Sequence, residues 1–218
     1  YDVDNKVETI ADYFLQHGIK NVVVGVSGGI DSAVVVGLLA RVKQQIDLTI
    51  FAHTITFSLY DGIFEHKYVH DVHAAFENQV SMFSKLDASS AFQSLMQTMG
   101  ITDPQVMAQS SYAMRYQMLF TFAQTVSAVT VGTTNKDEFA YAGWFGKNSD
   151  MVVDFQVITD WHKCQVVEAA KLLGVPESII NRTAVGDLLD GSTDEENFGC
   201  TYDELAYYQS QLVSRLYV

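Results

Sequence analysis

The stretch Asn21-Val22-Val23-Val24-Gly25-Val26-Ser27-Gly28-Gly29-Ile30-Asp31-Ser32 decides the fold. Its first half is a short β-branched run, the composition of a strand that a parallel sheet buries on both faces. Its second half is a glycine turn. Beyond the turn, Val34, Val35, Leu38, Leu39 and Val42 recur at helical spacing. The whole stretch reads as strand, loop and helix, with the loop at the carboxyl end of the strand.

The neighbouring segments extend this unit on both sides. Val7, Ile10, Ala11 and Phe14 make a helical stripe that Asp2 or Asp4 can cap and Gly18 can close. Leu48 to Ile55 reads as a second buried strand, Ala128 to Val131 as a third, and a further short one falls within Met151 to Val157. Pro104 to Gln124 is a long helix with Met114, Met118 and Phe122 on one stripe. Thr159 or Asp160 is placed to cap a helix carrying Val166, Val167, Ala170 and Leu173, which Gly174 and Pro176 end. The tail from Tyr202 is helical. Ser58 to Ser90 is polar and bears histidines, and its moderate helical pattern assigns it to no one element. Alternating strands and helices imply one α/β domain over residues 1–218, a doubly wound and mostly parallel sheet of about five strands.

Composition narrows the partners. With 26 acidic and 13 basic residues the formal charge is −13, so the chain lacks the basic surface that general nucleic-acid binding needs. The longest apolar stretch, Val22 to Ala40, is broken by glycine, serine and Asp31, which argues against a membrane span. Cys164 and Cys200 are far apart and form no metal-type pair, which fits a reduced, cytoplasmic setting.

The glycine loop carries the chemistry. Gly28 and Gly29 let backbone N–H groups approach an anion, Ser27 and Ser32 add hydroxyls, and the helix behind them adds its positive end. Asp31 repels phosphate on its own but makes sense as the holder of a bridging divalent cation. A Walker A loop requires a Gly-Lys-Ser/Thr ending that is missing here, and a dinucleotide GxGxxG does not match. Gly25-Val26-Ser27-Gly28-Gly29 does fit the G-x-S-x-G of a hydrolase elbow. That chemistry needs a downstream loop histidine, however, and the only histidine after His73 is His162, near a helix start.

Further blocks fall in order along the chain: Met114-Arg115 with Met118, Gly132-Thr133-Thr134-Asn135-Lys136-Asp137-Glu138, Lys147 with Asp150 and Asp154, Lys163, Asp187 to Gly191, Thr193-Asp194-Glu195, and Gly199 to Asp203. Together with Ser27-Gly28-Gly29-Ile30-Asp31-Ser32 they resemble the ammonia-dependent NAD synthetases, members of the N-type ATP pyrophosphatases with their SGGxDS loop. The resemblance implies a Rossmann-like adenine-nucleotide hydrolase-type fold. It also implies amidation of deamido-NAD by ammonia, with ATP giving AMP and pyrophosphate through an adenylated intermediate.

It implies roles as well. Gly25, Val26, Ser27, Gly28, Gly29, Ile30, Asp31 and Ser32, with Thr133 and Lys163, would bind ATP. Asp31 and Glu138 would hold Mg²⁺, and Arg115, Lys147 and Asp154 would bind deamido-NAD. Asp31, Asp150 and Lys163 would serve the chemistry, Asp150 by orienting or deprotonating ammonium. The absence of a glutaminase-type domain before the first helix points to free ammonia, and the family relationship points to a homodimer. The chain departs from the family pattern at Ser111, Gln117, Met151, Val152, Val185 and Ser192, and His53 to Ser58 contains no arginine. These departures spare the cation and pyrophosphate residues. They leave two alternatives: an adenylating ligase with another acyl acceptor, or a non-catalytic nucleotide-binding relative.

Overall fold

The computed structural model describes residues 2–57, 63–142, 148–184 and 193–216, without the side chains of 63–66, 141–142 and 212–216. Helix α1 (Val3–Gln16) is capped by Asp2, whose carboxylate accepts from the Asp4 N–H at 2.9 Å. Strand β1 (Asn21–Gly25) follows, then α2 (Ile30–Lys43), β2 (Thr49–Thr56), α3 (Ile63–Phe76), β3 (Met82–Asp87), α4 (Ser89–Met99), α5 (Pro104–Thr125) and β4 (Val129–Gly132). A short π-helical turn covers Glu138–Ala142. The chain continues through β5 (Phe155–Gln156), α6 (Lys163–Leu173), α7 (Glu177–Ile180), α8 (Asp194–Phe198) and α9 (Tyr202–Leu216).

All strand pairs are parallel, in the order β3-β2-β1-β4-β5. The central strand shows why. Val22, Val23 and Val24 are fully buried, and strand periodicity sends them to opposite faces. Val22 and Val24 join one core with α1, α2 and α6. Val23 joins the other with Phe92 of α4 and Leu119 of α5. The expected doubly wound sheet is what forms.

The ambiguous Ser58–Ser90 region contains both α3 and β3, apart from residues 58–62, which lie outside the described part. Strand β3 escapes pattern reading because it is the edge strand. Only one side is paired, Met82, Phe83, Ser84 and Leu86 are merely half-buried, and Lys85 and Asp87 are exposed. The expected cap of α6 is also corrected. Asp160 is engaged by Lys6 of α1 at 2.5 Å, and the helix begins three residues later, at Lys163. Its first N–H is satisfied from a distant residue, Asp137.

The topology places the site. The chain leaves β1 toward β2 on one side and returns to β4 on the other, so the loops after β1 and β4 open from a common point at the carboxyl ends of adjacent strands. Doubly wound sheets bind ligands at this switch point. No helix among the described residues is long and apolar enough to cross a membrane.

Candidate active site

The loop after β1 is fixed by its own hydrogen bonds. The Val26 N–H donates to the His53 carbonyl at 2.9 Å, continuing the sheet by one residue. Ser32 Oγ donates to the Gly29 carbonyl (3.0 Å) and accepts from the Ser27 N–H (3.3 Å). Gly28 has φ +83°, and a Cβ there would lie 3.0 Å from both Tyr68 Cβ and the Val69 backbone nitrogen of α3. Only glycine meets both demands. Gly29 occupies the N-cap position of α2, so the loop delivers that helix's positive end toward Ser27 and Gly29.

The loop after β4 supplies the acidic side. Asn135 is fully buried and acts as its hub. Its amide nitrogen donates to Asp31 Oδ1 at 3.0 Å, and its amide oxygen accepts from the N–H groups of Asp137 and Glu138 at 2.9 and 3.0 Å. The Asn135 N–H in turn donates to Glu138 Oε2 at 3.2 Å. One residue thereby ties the two switch-point loops together.

Helix α6 brings the cation. Lys163 Nζ lies 2.5 Å from Asp31 Oδ2 and 3.8 Å from Glu138 Oε1, and 5.1 Å from the centre of the Tyr202 ring. Tyr202 donates its hydroxyl to Asp194 Oδ2 at 2.8 Å. Burial works to lower the Lys163 pKa, but the charges of Asp31 and Glu138 outweigh it and hold the ammonium above the usual lysine range. Burial, then the neighbouring Asp31 charge, push Glu138 up to about 8. Burial and the charges of Glu138 and Asp194 likewise raise the Tyr202 phenol far above its ordinary value. Asp31 and Glu138 thus share one lysine, with the Asp194 carboxylate close by, so acids outnumber cations in a confined space.

Ser27, Gly29, Asp31, Ser32, Thr133, Thr134, Glu138 and Asp150 line a cavity of about 180 Å³. Most of the expected ATP, cation and catalytic residues therefore meet at one place, with Lys163 behind Asp31. Asp150 also faces Tyr116 of α5, whose hydroxyl is raised by burial, by the Asp150 charge and by a hydrogen bond to it.

Two expected dinucleotide residues stand apart from this cavity. Arg115 Nε donates to the Ile55 carbonyl at 3.3 Å, with the guanidinium 4.8 Å from the Phe57 ring centre. Asp154 Oδ2 accepts from the N–H and the hydroxyl of Thr130, both at 2.7 Å, which fastens β5 to β4. Lys147 and the Asp187–Ser192 block lie outside the described residues.

Sequence reading assigned no role to Asn135, Asp137, Tyr116, Asp194 or Tyr202. Asp137 is fully buried and accepts from the Lys163 N–H (2.7 Å), His162 Nδ1 (2.8 Å) and Gln209 Nε2 (3.1 Å). It is the remote cap of α6. Asn135, Asp137, Asp194 and Tyr202 stand within the family-like segments of the sequence, and for Asn135 and Asp137 the spacing from Glu138 is the available signal.

A doubly wound parallel sheet with a glycine-lined anion cradle, acids and a buried lysine at its switch point defines an α/β nucleotide-binding protein. Within that class the chain belongs to the NAD synthase family, whose model matches residues 2–216. An NH(3)-dependent NAD(+) synthetase of Mesoplasma florum is 33% identical over 214 residues, covering 94% of this chain and 82% of the relative. One from Pyrococcus horikoshii is 28% identical over 207 residues, covering 94% and 76%. Among solved structures, an NMN synthetase from Francisella tularensis superposes with a TM-score of 0.84 at 24% identity, over 97% of this chain and 87% of that one. An NH3-dependent NAD synthetase from Campylobacter jejuni, in complex with a nitrate ion, gives 0.71 at 21% identity over 83% and 77%.

Proposed function

We propose that this protein makes NAD by amidating deamido-NAD with ammonia at the expense of ATP, releasing AMP and pyrophosphate. The observation that carries the reading is the Asp31–Lys163–Glu138 cluster set against the glycine loop. It offers donors for a polyphosphate and carboxylates for its counter-cation in one cavity. The cavity is smaller than the about 300–1,000 Å³ of a drug-sized ligand pocket. It therefore suits the phosphate end of ATP, with base and ribose outside it.

The nicotinate carboxylate is a poor acyl donor and must first gain a leaving group. Its oxygen attacks the α-phosphorus of ATP, an O–P bond forms, and the bond to pyrophosphate breaks. Ammonia then attacks the activated carbonyl and AMP leaves. In this scheme the amides and hydroxyls of Gly25 to Ser32 hold the departing pyrophosphate. Lys163 neutralises its charge, and Thr133 flanks the ATP. Asp150, on the cavity wall, takes the proton from ammonium. Arg115, Lys147 and Asp154 bind the second substrate.

Asp31 and Glu138 fit a hard divalent ion, since Mg²⁺ typically takes one or two carboxylates beside substrate phosphates. Burial first, and the neighbouring Asp31 charge second, raise the Glu138 pKa, and a bound cation would offset both. When bound, the ion offsets the negative charge that builds on pyrophosphate. A homodimer and a cytoplasmic location complete the reading; the family resemblance supports the first, and two free thiols support the second.

The test is incubation with ATP, Mg²⁺, ammonium and deamido-NAD, with nicotinate mononucleotide offered in parallel. NAD, AMP and pyrophosphate in equal amounts are expected. AMP formed without NAD would overturn the assignment. The curated relatives do not favour another acyl acceptor.

A further inference from the structure

The phosphate loop has a second cationic neighbour. Arg182 follows α7 and reaches the loop apex, with Nη1 donating to the Gly28 carbonyl at 3.4 Å. Its guanidinium lies 4.5 Å from the centre of the Tyr68 ring on α3. The platform is itself anchored. Ser178 of α7 donates to Asp71 of α3 at 2.6 Å, and Tyr68 packs against the main core. Arg182 is half-buried and pairs with no carboxylate among the described residues.

We propose that Arg182 is a binding residue for the phosphates of ATP beyond the α-phosphate, held over Tyr68 at the outer rim of the glycine loop. The proposal rests on the ATP-dependent reading above and adds to it a specific residue. Lys163 is already shared between Asp31 and Glu138, and the chain carries a formal −13, so a polyphosphate arriving at the loop meets little uncommitted positive charge. A guanidinium has five N–H donors in one plane. The Gly28 contact uses a single one, and contact with the Tyr68 face spends none. Gly28 stands in the chain between the cavity-lining residues Ser27 and Gly29, so its contact holds the guanidinium at the edge of that loop. The Gly28 contact also holds that carbonyl away from the ligand, so the same side chain fixes the loop and extends its anion site outward.

The experiment is calorimetric titration of ATP, inorganic pyrophosphate and AMP into the full chain and its Arg182→Ala, Arg182→Gln and Arg182→Lys variants, with Mg²⁺ present. Glutamine keeps an N–H for the Gly28 carbonyl but no charge. Charge-assisted phosphate contacts predict that Kd for ATP and for pyrophosphate weakens about tenfold to a hundredfold in the alanine and glutamine variants. The lysine variant should fall between, and AMP affinity should stay unchanged. Unchanged ATP affinity in Arg182→Gln would overturn the proposal, as would equal weakening of ATP and AMP, which would mean collapse of the loop. Should Arg182→Ala fail to fold, the glutamine and lysine variants carry the test. If the wild type binds ATP and pyrophosphate as expected but forms no NAD, the reading of function fails while the Arg182 assignment stands.

Discussion

Lys163 concentrates the tension of the site in one side chain. Its ammonium is the sole cation between Asp31 and Glu138 among the described residues, and those carboxylates are only 17% and 16% exposed. Replacing it by methionine keeps the apolar stem and leaves two acids facing each other. Removing one partner of a buried pair costs about 3–5 kcal/mol, and this variant should lie near the lower end in urea unfolding. Magnesium should then raise the unfolding midpoint of Lys163→Met more than that of the wild type. No magnesium shift in either protein would exclude a cation site at Asp31 and Glu138.

His53, on the opposite face of the sheet, is a residue-scale effect of another kind. It is 2% exposed, contacts Ser84 through Nδ1 and packs its ring against Phe122, and its Nε2 has no hydrogen-bond partner among the described residues. Burial holds its pKa below the usual 6.5. The unfolded chain therefore binds a proton that the folded chain resists, and stability falls as the pH drops through about 6.5 and below, by at most about 1.4 kcal/mol per pH unit for one proton. His53→Asn can still bond Ser84 but cannot titrate. The stability gap between wild type and variant should narrow between pH 7.5 and pH 5.5, and a constant gap would contradict the assignment.

Between elements, the junction of the β4 loop with α6 and α9 matters most. Asp137 ends the accounting for three donors at once: the first N–H of α6, the His162 ring and Gln209 of α9. Asp137→Ala strands the Lys163 N–H and Gln209 in a buried place and the His162 ring in a half-buried one, at a cost of about 1–3 kcal/mol for an unsatisfied buried group. A loss of at least about 3 kcal/mol is expected in chemical denaturation, with a fall in turnover because this cap sets where Lys163 starts. A stability loss below about 1 kcal/mol would show that water or a neighbour replaces the cap.

The same junction shows where sequence reading stops. Asp2 capping α1 was legible because cap and helix are adjacent, whereas the α6 cap comes from 26 residues upstream in the chain. Central β1 was legible because it is apolar on both faces, whereas edge strand β3 has no such run. The glycine loop and Glu138 were legible as spacings. Tyr116 beside Asp150, and Tyr202 beneath Lys163, depend on how α5 and α9 pack, which local pattern does not encode.

At the scale of the whole molecule, the site is a seam. The β1 loop and α2 meet the β4 loop and α6 there, and the seam is held by the Asn135–Asp31 and Lys163–Asp31 contacts. A ligand filling it bridges both halves of the sheet and binds only the folded chain, so it stabilises by mass action. At a hundredfold excess over Kd the gain is about 2.7 kcal/mol. For a chain of this size that raises Tm by about 5–10 °C. The overall charge of −13 and the surplus carboxylates oppose bare ATP, so the wild type should respond strongly to ATP with Mg²⁺ and weakly to ATP alone. Asp31→Asn removes one of the repelling charges and one candidate ligand for the cation. Its melting shift should become nearly the same with and without magnesium. The comparison is read by differential scanning calorimetry across the four conditions, and a wild type whose ATP shift ignores magnesium would remove the cation from the scheme.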